Sequence, residues 1–491
     1  MHIDFKAPEL QPDGSLEEHA YSFQGNPEDG WHIGRDGDEL LQLGAGYTAV
    51  EPVFCGVCST DLARQYLPYP LPQIIGHEVV ARKDGQFFAV EINASEKARG
   101  IHNPDNPWSA DSMHTQDPGR ITLGIDRLPG GFAPYMLAPR EALIPLPQNV
   151  DPLTASLTEP FAAALQAVEA SAPQNGESIA VLGPRRLGSL LIAALVGYRQ
   201  QKGLDFEIIA VGRHATLLER CRNLGADRTV LLDASTTAGP IQEKFDLVFD
   251  TTGNPAGFEL AVTLARRALH VKSTNGQAVA GLTRLTDLVV DEMALLPCKP
   301  ANLAFGWSIE KEARQNRHIF ASPATDGRLI DTLLTARPDC VITKDTIPNM
   351  ARALFVEGPY HRPEFLKHAT LPRFDLALAN SLAEVDQILR PIADKEWSLV
   401  RARGAILLTE QARNEGHLAA AILDRGLELH SSRCGDFQRA LRILAEQPEL
   451  ALRLHANLIT HQFDLSEIKA AFAVARDSAQ SVKVIVRTNP A

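Results

Sequence analysis

Between residues 178 and 264, short apolar strands alternate with helices. SIAVLG (178–183) runs into LGSLLIAALVGYRQ, EIIAVG (207–212) into ATLLERCRNLGA, and FDLVFDTTG (245–253) into GFELAVTLARRA. Parallel neighbours cannot be joined by a hairpin and need a crossover helix, so this rhythm demands a doubly wound parallel α/β sheet. The preceding residues 1–150 have a different texture. Strand-like pieces such as YTAVEPVF (47–54), IIGHEVVA (74–81), QFFAVEI (86–92) and FAPYMLAP (132–139) are broken by turn clusters, NPDNP and LPGGF among them. They predict an irregular β domain with pockets in its loops. A helix is expected over 152–171, with Pro160 near its first turn, where a missing N–H costs nothing.

At 491 residues the chain is long enough for two to four domains of ordinary size. Lys and Arg number 48 against 60 Asp and Glu, a net charge of −12 with no long basic run. That balance argues against nucleic acid or an anionic membrane as partner. Six cysteines are too few for a disulfide framework, and only Cys55 and Cys58 lie close together. MHIDFKAPELQPDGSLEEH has neither a basic nor an apolar leader region, and no apolar run approaches a spanning length. The expected compartment is the cytoplasm.

Residues 298–430 interrupt the pattern, and an internal repeat offers an account. FDLVFDTTG at 245 resembles FDLALANSL at 374, RRALHVKST (266–274) resembles VRARGAILLT (400–409), and DEMALLPC before Cys298 resembles RGLELHSSRC before Cys434. This stretch is expected to supply a second strand–helix–strand set, inserted into the sheet or beside it.

The metal-ligating residue types cluster early. Residues 55–61 read Cys-Gly-Val-Cys-Ser-Thr-Asp, residues 76–78 read Gly-His-Glu, and Glu159 precedes Pro160. A catalytic zinc takes three N, S or O ligands and keeps a fourth position open, a set that Cys58, His77 and a carboxylate from Glu78 or Glu159 would supply. Each residue alone has a plainer reading: a redox pair for the CxxC, a core histidine for His77, a helix-dipole carboxylate for Glu159.

Together, CGVCSTD, IIGHEVVA, GGFAPYMLAP and LTEPFAAALQAV, followed by the strand–helix alternation, resemble the zinc-dependent medium-chain alcohol dehydrogenase superfamily, and within it the polyol and threonine dehydrogenase branches. The resemblance covers residues 47–297 and 427–491. It implies a GroES-like irregular β catalytic domain over 1–174 and a Rossmann-type cofactor domain over 175–297. The insertion at 298–430 and a segment at 431–491 returning to the catalytic domain complete the chain. It further implies one catalytic zinc on Cys58, His77 and Glu78 or Glu159, with Thr60 relaying the substrate proton. Asp61 would orient the site by hydrogen bonding, and Cys55 would be a buried structural thiol. There are three departures. No cysteine lies between Cys58 and Cys221, so no structural zinc is expected; Ala63 stands where some members place a relay histidine; and the insertion exceeds the family's usual length.

Gly183-Pro184-Arg185-Arg186-Leu187-Gly188 stands where a G-x-G-x-x-G fingerprint belongs, with Arg185 replacing the middle glycine. Either the arginines grip phosphate from a different loop, or the cofactor site has degraded. Arg213 and His214 follow the second strand where an acid would hold ribose hydroxyls. Arg213 can pair a 2′-phosphate, so NADP is favoured over NAD. Thr252 and Thr274, at the carboxyl ends of later strands, are candidates for cofactor contacts.

The expected activity is reversible oxidation of a small-molecule alcohol to a carbonyl by hydride transfer to NAD(P), with zinc as Lewis acid. A non-catalytic nucleotide-sensing or scaffold protein, and a zinc-free NADPH-dependent reductase, are the alternatives. The resemblance implies a dimer or a tetramer, a homodimer among the candidates, formed through the cofactor domain's edge strand. An insertion that extends the sheet would cover that edge and leave a monomer or a different dimer.

Overall fold

The computed structural model describes the chain outside residues 68, 97, 98, 100, 102–119, 233–242, 274, 275, 307–315, 358–372, 393–396, 478–480, 490 and 491. Thr274 and most of the cysteine-free lobe around 93–126 lie outside the described residues. The chain forms two compact units. One contains Met1–Leu165, Arg185–Gln201 and Cys434–Ala491; the other contains Gln166–Pro184 and Lys202–Arg433.

The first unit is the irregular β domain. Strands β1 (His2–Leu10), β2 (Leu16–Asn26), β3 (Gly30–Arg35) and β4 (Asp38–Leu43) form an antiparallel meander. A larger sheet contains β5 (Tyr47–Gly56), β6 (Glu78–Lys83) and β7 (Gln86–Val90). Strands β8 (Asn93–Ala94), β9 (Ile121–Leu123) and β10 (Arg127–Leu128) make a small separate sheet. The larger sheet is completed by β11 (Met136–Pro139), β12 (Leu143–Pro145) and, from the far end of the chain, β24 (Ile459–Asp464) and β25 (Lys483–Arg487). Its order is β12-β7-β6-β5-β25-β24, with β11 also on β5. The strand expected over 74–81 begins only at Glu78, because Gly76 turns the backbone at φ +102°. The helix expected over 152–171 is two helices, Pro152–Ala155 and Thr158–Ser171.

The helix Arg186–Lys202 groups with this unit. Its Gly197 lies against the end of the chain, where an added Cβ would come 2.9 Å from Ile443 Cγ2 and 3.0 Å from Leu450 Cδ2. Gln447 Nε2 donates to the Gly197 carbonyl at 2.9 Å.

The second unit carries the doubly wound sheet. Strands β13 (Ser178–Leu182), β14 (Glu207–Gly212), β15 (Arg228–Leu231), β16 (Phe245–Asp250) and β17 (Ala265–Val271) pair in the parallel order β15-β14-β13-β16-β17. Residues 298–430 extend the same sheet. With β18 (Ala294–Pro297), β19 (Arg317–Ala321), β20 (Cys340–Lys344), β21 (Phe374–Ala379), β22 (Val400–Leu408) and β23 (Glu428–Ser431), the order continues β23-β18-β22-β21-β19-β20, eleven strands in all among the described residues. The strands read as continuous apolar runs, SIAVL and FDLALA for example, and consecutive residues on them are buried, as on strands covered on both faces. One apolar cluster runs through it, including Leu182, Val248, Leu295, Phe320, Phe374 and Leu429.

Candidate metal centre and dinucleotide edge

Three neighbouring strands bring the ligand-type residues to one place. Gly56, at the end of β5, pairs with Glu78 at the start of β6 on one side and with Ile485 of β25 on the other. A Cβ on Gly56 would lie 2.0 Å from Glu78 Oε2, so only glycine admits that carboxyl beside the strand. Beyond Gly56 the chain turns through Cys58 into the short helix Ser59–Ala63. Asp61 Oδ2 accepts the backbone N–H of Cys58 at 2.8 Å, holding the turn in place. A Cβ on Gly76 would meet Phe132 and Cys55 Sγ within 3 Å, so the backbone ahead of His77 is packed against the strand core.

Cys58, His77 and Glu78 each offer a ligand atom within 4.8 Å of the other two. Thr60 Oγ1 lies 3.8 Å from Cys58 Sγ and is half-buried. Glu159 stands in the first turn of Thr158–Ser171, half-buried and outside that group of three. His77 Nδ1 is 3.4 Å from Asp61 Oδ1, yet neither atom completes a hydrogen bond among the described residues, and neither does Glu78 Oε1. A half-buried thiol beside a buried imidazole and a buried carboxylate with orphaned polar atoms is what a borderline-soft cation satisfies, and the set fits zinc.

Charge is arranged around this group. Burial opposes a proton on His77, but the Asp61 and Cys58 charges outweigh it and hold the imidazole well above its usual range. Burial, reinforced by Asp61 and Glu78, pushes the Cys55 thiol well above its usual range, in keeping with an inert structural thiol. Lys483, at the start of β25, forms a buried ion pair with Glu78. Its burial works against the charge, and Glu78, Cys58 and Glu159 overcome that and raise its pKa. Reading the sequence for ligands missed Lys483. Its one signal is a cation inside the apolar run VKVIV.

Arg186 belongs to this neighbourhood. It starts the helix Arg186–Lys202, is half-buried, and gives an N–H to the Ala475 carbonyl. Burial lowers its pKa, while the Cys58 and Glu78 charges act to raise it. Arg185 beside it is exposed, Leu187 is half-buried and Gly188 is buried.

The second unit holds the rest of the expected dinucleotide edge. Gly183 follows β13 at φ +83°, and Thr251 Oγ1 donates to the carbonyls of Leu182 at 3.0 Å and Gly183 at 2.7 Å. The hydroxyl of Thr252 is committed to Asp250 Oδ1 at 2.7 Å, and its backbone N–H to the same oxygen at 2.8 Å. Burial raises the Asp250 pKa against these two bonds. A crevice beside them is lined by Asp250, Gly253, Asn254, Phe258, Ser273 and Gln277. Arg213 is exposed just past β14, and His214 is the exposed N-cap of Ala215–Leu224.

No family model matches this chain. Among curated proteins, L-threonine 3-dehydrogenase of Bacillus velezensis is 26% identical over 234 residues, covering 43% of this chain and 65% of that protein. Sorbitol dehydrogenase of Halalkalibacterium halodurans is 25% identical over 241 residues, covering 46% and 65%. The chain thus spans just under two thirds of these relatives' length. A zinc-binding dehydrogenase of Sinorhizobium meliloti, solved with NADP, superposes with a TM-score of 0.52 at 16% identity over 99% of this chain and all of that one. The fold is the GroES-like plus Rossmann-type architecture of that dehydrogenase, and in sequence the chain is similar to threonine and sorbitol dehydrogenases.

Proposed function

We propose that this protein interconverts a small alcohol and its carbonyl by hydride transfer with NADP, using one zinc held by Cys58, His77 and Glu78. The observation that carries the reading is the convergence of those three side chains within 4.8 Å, with His77 Nδ1 and Glu78 Oε1 lacking a hydrogen-bond partner among the described residues. When bound, zinc supplies Lewis acidity that lowers the pKa of an alcohol.

The chain's own residues do the rest. Asp61 sets the Cys58 turn and faces His77, and Lys483 holds the Glu78 carboxyl through a buried ion pair. Thr60, half-buried beside Cys58, passes the substrate proton toward solvent; Ala63 has no group to extend the relay. When bound, the nicotinamide would supply the hydride acceptor, and with the hydroxyl proton leaving through Thr60 the two-electron oxidation of the alcohol would balance. An exposed Arg213 where an acid would repel a 2′-phosphate supports NADP over NAD. The threonine and sorbitol dehydrogenases among the relatives point to a hydroxylated, polyol-like substrate class.

A non-catalytic nucleotide-sensing role is the second reading, favoured by Arg185 in place of the fingerprint's middle glycine. Zinc stoichiometry combined with NADPH and NADH titration separates the two. About one zinc per chain, lost in Cys58→Ser, with tighter binding of NADPH supports the dehydrogenase. Nucleotide binding without zinc supports the sensor, and binding of neither overturns both.

A further inference from the structure

The eleven-stranded sheet contains the same arrangement twice. β13 lies between β14 and β16, and β19 lies between β20 and β21, all parallel. β16 and β21 both open on Phe-Asp-Leu. Asp246 Oδ2 accepts the backbone N–H of Ser178 on β13 at 2.9 Å, and Asp375 Oδ2 accepts that of His318 on β19 at 2.8 Å. The ladder to the next strand slips at the same step in each: between Phe245 and Leu247 for β16–β17, and between Phe374 and Leu376 for β21–β22. Shared sequence, shared side-chain-to-backbone bonds and a shared bulge mark two copies of one unit, since bulges are positional features and not accidents of packing.

The copies trade their last strands. β17 leads through the helix Leu285–Val290 to β18, but β18 pairs with β22 of the other copy. β22 leads through His417–Arg425 to β23, which pairs with β17 of the first. β18 and β23 then meet antiparallel with Leu295 opposite Leu429. Equivalent residues facing each other are the signature of a two-fold interface, formed here inside one chain. Each edge that would otherwise expose unpaired backbone is closed by the other copy.

Their ligand edges differ. In such sheets ligands sit at the carboxyl ends, where the strand order reverses. In the first copy Gly183 and Gly253 turn the backbone at φ +83° and +64°, and a small crevice lined by Asp250, Asn254, Ser273 and Gln277 lies at that edge. In the second, buried polar side chains fill it. Asn380 Nδ2 donates to Ser322 Oγ at 2.8 Å and Thr325 Oγ1 at 3.1 Å, Thr409 Oγ1 donates to Asn380 Oδ1 at 2.9 Å, and Glu384 Oε2 accepts the Asn380 backbone N–H at 2.8 Å.

We infer that residues 298–427 are a built-in partner. They are a second copy of the cofactor fold that has closed its own ligand crevice and takes the place of another subunit at the first copy's edge. The nucleotide count below rests on the reading in the preceding subsection; the strand pairing does not.

A Leu295→Cys/Leu429→Cys double variant tests the pairing, because directly opposed antiparallel positions come close enough for a disulfide. Oxidation is expected to give an intrachain bond at the single-chain mass of 53.5 kDa on a non-reducing gel, with the linked peptides identified by mass spectrometry. An interchain product overturns the inference. As a check that needs no variant, amide exchange protection of β18 and β23 is expected to be equal in dilute and concentrated protein. Protection that rises with concentration would mean pairing between chains and overturn it. NADPH titration is expected to saturate at one per chain. Two per chain overturns the closed second crevice, whereas none counts against the dehydrogenase reading and leaves the pairing result to decide the rest.

Discussion

Asp61 binds Cys58 through the backbone: its Oδ2 takes the Cys58 N–H at 2.8 Å, while its Oδ1 stands 3.4 Å from His77 Nδ1. One carboxylate therefore fixes the turn that presents the thiol and faces the imidazole at Nδ1. Groups that orient ligands in this way typically contribute 10–100-fold to metal affinity. Asp61→Asn keeps an oxygen for the Cys58 N–H and removes the charge facing His77. Its zinc affinity is expected to fall by about that factor, read by competition with a chelator, with the folded far-UV spectrum unchanged. An unchanged affinity would show that the charge does not matter.

Lys483 and Glu78 are both buried, so removing one partner strands a charge. Lys483→Met in the metal-free protein is expected to lose about 3–5 kcal/mol in urea denaturation, the usual cost of an uncompensated buried charge. The double variant Lys483→Met/Glu78→Gln should recover most of it. Equal losses in the single and double variants would mean that packing, and not the ion pair, sets the cost.

Glu91 gives stability a pH dependence. Burial raises its pKa to about 8 from 4.5, partly offset by bonds from Asn93, with Glu159 and Asp436 adding to the rise. The folded protein then holds this proton more tightly than the unfolded chain. Glu91 contributes stability that is full below 4.5, declines as pH rises, and is gone above about 8. Glu91→Gln is expected to flatten the decline in Tm between those limits. A wild-type Tm that rises across the window in parallel with the variant's would exclude the effect.

Arg213 governs cofactor choice in the proposed reading. A charge-assisted bond to a 2′-phosphate is worth roughly 1.5–3 kcal/mol, or about 10–100-fold. Arg213→Ser is expected to weaken NADPH binding by that factor while leaving NADH within about twofold, measured by nucleotide fluorescence. Equal loss for both nucleotides would place Arg213 outside the 2′-phosphate contact.

Local pattern made much of this protein legible. The alternation of SIAVLG, EIIAVG and FDLVFDTTG with helices encodes a parallel doubly wound sheet, because apolar period and crossover length are both written in neighbouring residues. CGVCSTD and GHE each offer candidate ligand types within a short local motif, but Cys58 and His77 are 19 residues apart, and it is the pairing of β5 with β6 that brings the two motifs together. Long-range pairing was decided only by the tertiary structure. Lys483 reaches Glu78 because β25 closes the sheet beside β5, and no local spacing connects a late strand to an early one. Arg186, which in the sequence reads as part of a phosphate loop, gives its N–H to the Ala475 carbonyl once its helix packs against the end of the chain. The repeat at 298–430 is visible as similar letters, but the exchange that sets Leu295 against Leu429 depends on which edge each strand finds. Sequence period determines which face a residue shows, whereas sheet closure determines which residue it meets.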